Sequence, residues 1–287
     1  MSEIIIESYL DTVGIRPADS YDELVNILKS CMSDQDVSII TDIMNGRASG
    51  SNDTEIYKLT NKSLESSVSF VGGFDGSFLK RGMKRIYQYR SLFGKEIVDI
   101  GCNNGILSCF IALICPESEV TGIDIKEEGL NCARELANKL EIHNIKFECN
   151  NYKKTCKKYD TVFMSKLSHE LIDFSNINWY QSRSNIVSSF EKKSIPFVVS
   201  IKKMLKDNGT ILMIDRIPYE IGVYGYYKAF ASKGIALDMN TYHKLIYKTL
   251  GEKEEIPFIT GKIGKADLQS IERHFETVLD EQEKNYY

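Results

Sequence analysis

The sequence predicts an open α/β sheet, mostly parallel, with helices on both faces. Three observations point there. From Glu96 onward, short apolar stretches alternate with helical ones. The segment EIVDIGCNNGILS, residues 96–108, runs from a buried strand through a glycine turn into a helix. The next apolar strand, VTGID at 120–124, ends on an acid. Alternating elements of this kind require right-handed crossovers, which lay the helices against the sheet faces.

Length and composition allow this fold and exclude others. The chain has 287 residues, 43% of them hydrophobic, enough for one large domain with an elaboration or two small ones. A formal charge of -4 with basic residues in short pairs (Lys153-Lys154, Lys157-Lys158) makes nucleic acid an unlikely partner. The seven cysteines form no C-x-x-C pair, which fits a reduced, cytoplasmic protein with no metal site. The first residues, MSEIIIESYLD, carry acids on both sides of the isoleucines and read as neither a signal peptide nor a membrane span.

Taken in order, residues 1–75 read as a helical N-terminal region or cap, with amphipathic runs at 21–30 and 36–44 and a loop at 45–54. Val71-Gly-Gly-Phe-Asp-Gly76 reads as a second break, before a helix at 77–93 capped by Ser77. Residues 76–287 then form the sheet domain. Strands are expected at 97–100, 120–124, 145–149, 161–165 and 210–215, and helices at 105–115, 127–140 and 194–206. A late strand is expected at 276–279 and a further candidate at 284–287. Two stretches exceed a minimal unit: 171–194, with Trp179, Tyr180 and Arg183, and 216–264, with Tyr219, Tyr224, Tyr226, Tyr227, Tyr242 and His243. Both follow carboxyl ends of strands, where open α/β sheets bind ligands, so they read as insertions capping a site.

The glycine turn limits the ligand. A dinucleotide fingerprint, G-x-G-x-x-G, needs glycine at positions 103 and 106, where this chain has Asn103 and Ile106, so a nicotinamide-dependent oxidoreductase is disfavoured. Asparagine still tolerates a left-handed conformation, and Gly105 lets backbone approach a ligand. Asp124 lies 23 residues after Gly101, the separation at which an acid accepts hydrogen bonds from ribose hydroxyls. A ribose-containing ligand without an essential pyrophosphate follows, with Asn150-Asn151 placed for an adenine edge.

With these motifs the chain resembles the class I S-adenosylmethionine-dependent methyltransferases, over about residues 77–280. Motif I corresponds to Val98-Asp-Ile-Gly-Cys-Asn-Asn-Gly105 and the acidic loop to Gly122-Ile-Asp124-Ile. Later motifs are similar to Phe147-Glu-Cys-Asn-Asn151, Tyr159-Asp-Thr-Val-Phe-Met-Ser165 and Leu205-Lys-Asp-Asn-Gly209-Thr-Ile-Leu-Met-Ile-Asp215. Asn103 departs from the usual middle glycine, and Asn151 stands where the family often has Asp. The resemblance implies a Rossmann-like fold around a mostly parallel seven-stranded sheet, and S-adenosylmethionine as cofactor. It places Asp99 and Gly101 near the methionine portion, Asp124 on the ribose and Asn151 on the adenine. Cys102, Asn103, Gly105, Ile125 and Ser165 complete the implied cofactor site.

A sulfonium methyl is already activated, so the protein has to align an acceptor and, for a hydroxyl, remove its proton. The candidate base is His169, in Ser165-Lys-Leu-Ser-His-Glu170; His243 is a second candidate, and His143 and His274 read as surface residues. The tyrosines at 224, 226, 227 and 242 either line an aromatic pocket or pack a helix. A capped site suits a small-molecule acceptor, methylated at oxygen or nitrogen. An RNA- or protein-directed enzyme and a non-catalytic S-adenosylmethionine-binding protein stay open, although Ser165-Lys-Leu-Ser168 replaces an Asn-Pro-Pro-Tyr-type tetrapeptide. A homodimer is compatible with this reading.

Overall fold

Apolar runs such as Ile97-Val98 and Val162-Phe163-Met164, all fully buried, are what strands covered on both faces require. They build one seven-stranded sheet in the computed structural model, which describes residues 2–46 and 54–284. The strands are β1 (Glu96–Ile100), β2 (Glu119–Asp124), β3 (Ile145–Cys149), β4 (Tyr159–Ser165), β5 (Leu205–Ile214), β6 (Ile235–Thr249) and β7 (Glu252–Ile263). Their order is β3-β2-β1-β4-β5-β7-β6. β2 pairs with β3, β1 with β4 and β4 with β5 in parallel; β7 runs antiparallel to β5, with Leu212 opposite Thr260. All five expected strands form, β5 beginning earlier than expected, at Leu205.

The last two strands lie where an insertion was expected. Segment 216–264 contributes α10 (Tyr219–Ser232) and then β6 and β7, so most of it belongs to the sheet. The two strands are joined at Leu250 and Gly251, with φ of 49° and 87°, the paired positive values of a tight hairpin turn. Leucine in a place usually filled by Asn or Asp hides that turn in the sequence. The late strand expected at 276–279 is instead part of α11 (Leu268–Lys284). Ile271, Phe275 and Leu279 are buried four residues apart, a helical seam that a four-residue window does not reveal. The candidate strand at 284–287 begins on the last residue of that helix, and residues 285–287 lie outside the described residues.

Two compact units make up the chain. The first comprises Met1–Ser91, Gly101–Asn151 and Leu245–Glu255. It holds α1 (Ser2–Val13), α2 (Tyr21–Lys29), α3 (Asp34–Gly46), α4 (Thr54–Thr60), α5 (Leu64–Gln88), α6 (Ile106–Ile114) and α7 (Glu127–Lys139). Leu24, Leu28, Val37, Ile40, Ile56, Leu59 and Phe70 form the core of its helical part. Most of the loop expected at 45–54 falls on residues 47–53, outside the described residues.

The expected domain boundary at 75 falls inside α5, which is continuous through Val71–Gly76 and is capped by Ser63, not Ser77. Its glycines serve close packing instead of a turn. A β-carbon on Gly76 would lie 2.8 Å from Pro17 Cγ and 3.1 Å from the Pro17 backbone nitrogen. Gly76→Val therefore forces helix α5 away from the 15–17 segment; an overpacking loss of roughly 1–3 kcal/mol is expected. Thermal melting checks this, and a midpoint unchanged from wild type would refute the close-packing role.

The second unit comprises Leu92–Ile100, Tyr152–Lys244 and Ile256–Tyr287. Besides α10 and α11 it contains α8 (Ser168–Leu171) and α9 (Arg183–Met204). The stretch 171–194, expected as an insertion, therefore ends in the first turns of α9, which continues through Pro196. The tyrosines expected to line a pocket or pack are packed: Tyr226 and Tyr227 are fully buried, and Tyr224 stacks on Phe275 at 5.1 Å. Tyr242 donates its hydroxyl to Glu220.

Candidate active site

In the first unit, the loop leaving β1 is held to the end of β2. The Gly101 and Cys102 N–H groups donate to the Ile123 carbonyl at 2.7 and 3.2 Å. Gly101, Asn103 and Gly105 have φ of 72°, 45° and 72°, so the loop winds through three left-handed residues before α6 starts. Gly105 has a second constraint: a β-carbon there would lie 2.7 Å from Ala133 Cβ and 3.0 Å from the Phe147 ring. The expectation that Asn103 supports the turn in place of glycine holds as geometry.

Asp124 joins these elements. Its Oδ2 accepts from Asn103 N–H and its Oδ1 from Lys126 N–H, both at 2.9 Å, while its carbonyl accepts from Asn150 N–H at 2.9 Å. A carboxylate offers about four acceptor positions, so capacity remains for ligand hydroxyls beyond these two contacts. Ile125, next in sequence, is 64% exposed, an apolar surface beside the acid. Asn151 is exposed just beyond β3, and Cys102 is buried. Gly101, Cys102, Asn103, Gly105, Asp124, Ile125 and Asn151 thus all lie in one compact unit. A carboxylate with acceptor capacity left over, an exposed apolar side chain and an exposed amide residue fit a nucleoside, with its ribose diol and the flat face and polar edge of its base.

The second unit carries a different constellation at the ends of β4 and β5. Asp215 directly follows β5, and its side chain is wholly buried. Its Oδ2 accepts from Leu167 N–H (3.2 Å) and Ser168 N–H (2.6 Å); its Oδ1 accepts from Arg216 N–H (2.8 Å) and lies 2.9 Å from His169 Nδ1. Burial alone would raise this carboxyl, but the His169 ring and the Ser168 N–H hold it below the usual carboxylate range. Lys166, with φ of 51°, turns the chain sharply after Ser165, and its N–H donates to Ile214 O at 2.7 Å. His169 is therefore oriented by a buried acid while a quarter of its side chain stays exposed.

The same unit carries two exposed aromatic rings. Trp179 and Tyr219 meet edge to face at 5.3 Å and are 43% and 73% exposed. Tyr219 has φ of 57°, a conformation costly for a bulky side chain and often found where function demands it. His243, the other candidate base, lies on β6 and stacks on Phe258 at 5.0 Å. Asp99 is buried within β1, where it registers with Phe163 of β4. The residue that the sequence reading missed is Asp215, although its signal, an acid ending the apolar run Leu212-Met213-Ile214, is the one that singled out Asp124.

With this geometry in hand, comparison with known proteins names the family. A family model described as a methyltransferase domain matches residues 93–254. The chain belongs to that family, the class I S-adenosylmethionine-dependent methyltransferases, with their Rossmann-like fold and S-adenosylmethionine as cofactor. The chain is 39% identical over 57 residues to the release factor glutamine methyltransferase of Vibrio cholerae, covering 20% of each protein. It is 30% identical over 94 residues to the ubiquinone biosynthesis O-methyltransferase of Coxiella burnetii, covering 32% of this chain and 39% of the relative. The chain thus spans well under half the length of either curated relative. Among solved structures, a SAM dependent methyltransferase from Aquifex aeolicus is 17% identical, covers 74% of this chain and 98% of its own, and has a TM-score of 0.43. Among the described residues, no helix is long and apolar enough to cross a membrane.

Proposed function

We propose that the chain methylates a hydroxyl oxygen of a small, aromatic acceptor, with His169 as general base. When bound, the cofactor supplies a methyl group on a sulfonium centre. Asp124 would hold its ribose through the carboxylate positions left beyond the Asn103 and Lys126 contacts. Ile125 would cover one face of the adenine and Asn151 its edge. The loop from Gly101 to Gly105 would bring backbone against the ligand.

The observation that carries the acceptor reading is the 2.9 Å contact between His169 Nδ1 and buried Asp215. A buried carboxylate accepts a hydrogen bond, so it fixes the proton on Nδ1 and makes Nε2 the lone-pair nitrogen of the neutral ring. That nitrogen is the group a hydroxyl needs and a neutral amine does not. Trp179 and Tyr219 supply an aromatic surface in the same unit, which favours an acceptor with a ring.

The test uses methyl-labelled S-adenosylmethionine and matched acceptors that differ in one group: a phenol, the corresponding aniline and a cyclohexanol. Label is expected on the phenol, with transfer to the aniline at least tenfold slower. Transfer confined to the aniline would overturn the proposed base chemistry.

A further inference from the structure

The cofactor loop is braced by the N-terminal helices. Asn61 sits between α4 and α5 and is 5% exposed. Its Nδ2 donates to Asn103 Oδ1 at 2.8 Å, and its Oδ1 accepts from the Ser67 hydroxyl at 2.6 Å. Ser67, fully buried in the first turn of α5, accepts in turn from Asn104 Nδ2 at 2.9 Å. Both asparagines of the loop are thus tied to one short stretch of the N-terminal region. The contacts continue to the acid, because Asn103 N–H donates to Asp124 Oδ2.

This arrangement answers the departure at position 103. Asparagine tolerates the left-handed conformation less well than glycine, and a φ of 45° in that residue needs support. Asn61 supplies it by fixing the Asn103 amide. The space is tight as well, since a β-carbon on Gly129 of α7 would lie 2.6 Å from Asn103 Oδ1 and 3.2 Å from Asn61 Nδ2. No freedom is left for Asn103 to find another partner on that side.

The geometry points to Asn61 and Ser67 as positioning residues for cofactor binding, acting through Asn103 and Asn104. The N-terminal helices, read from sequence as a cap, hold the loop in its ligand-ready shape. The inference rests on the reading of the 101–105 loop and Asp124 as the cofactor site.

The experiment is calorimetric titration of the full chain with S-adenosylhomocysteine in a double-mutant cycle. Asn61→Asp keeps the shape but sets an oxygen against Asn103 Oδ1, and Asn61→Ala removes the group. Each is expected to weaken binding about tenfold, and Ser67→Ala to weaken it less. Asn103→Gly reaches the left-handed conformation unaided, so in that background Asn61→Ala is expected to change affinity less than about twofold. Melting is followed on the same samples. An affinity that Asn61→Ala leaves unchanged, or lowers equally in both backgrounds alongside the melting temperature, would overturn the positioning role. If wild type fails to bind, the cofactor reading falls first, an outcome that variants weaker than a binding wild type cannot produce.

Discussion

Asp124→Ala is expected to weaken S-adenosylmethionine binding roughly 100-fold, about 2.7 kcal/mol, with the fold intact. Two losses combine. The ribose would lose its charged acceptor, and Asn103 N–H would lose the 2.9 Å bond that closes the loop onto β2. Asp124→Asn separates them: it keeps the shape and one oxygen but removes the charge, so a drop of about tenfold is expected. Calorimetry gives the affinities, and circular dichroism checks that the sheet persists. Equal affinities for wild type and Asp124→Ala would remove the acid from the binding site.

His169→Gln is expected to lower kcat by roughly 10²–10⁴-fold on a hydroxyl acceptor, leaving the affinity for S-adenosylmethionine within about twofold. Glutamine has similar reach but cannot take up a proton. Asp215→Asn is expected to lower kcat by a similar order, because its amide offers an N–H where Nδ1–H needs an acceptor. That variant should also be less stable, since Leu167, Ser168 and Arg216 N–H all donate to this buried carboxylate. Quench-flow or steady-state rates, read beside cofactor titration, separate a chemical defect from a binding defect. Unchanged kcat in His169→Gln would point to an acceptor needing no base.

Strands β1, β2, β4 and the second half of β5 were readable as short apolar runs and β3 by the alternation Ile145-Lys146-Phe147-Glu148-Cys149, and the parallel arrangement followed from the alternation of strands with helical stretches. The loop from Gly101 to Gly105 and Asp124 was readable because its conformation depends on residue types at fixed short spacing. The hairpin was missed because its turn carries Leu250 at φ of 49°, a residue with no turn signature. Helix α5 was cut short because Gly72, Gly73 and Gly76 look like a break in sequence, and only packing against residues 15–17 and Leu24 shows their use. Asp215 and Asn61 lie 46 and 42 residues from the groups they hold, so no local pattern joins them to His169 or Asn103.

The most direct single measurement is a calorimetric titration of the wild-type chain with S-adenosylmethionine, S-adenosylhomocysteine and NAD in parallel. Saturable one-to-one binding of the first two, in the micromolar range usual for enzyme ligands, with no heat from NAD, is the expected result. Binding of NAD alone would contradict a cofactor site built on Asp124 and the loop from Gly101 to Gly105.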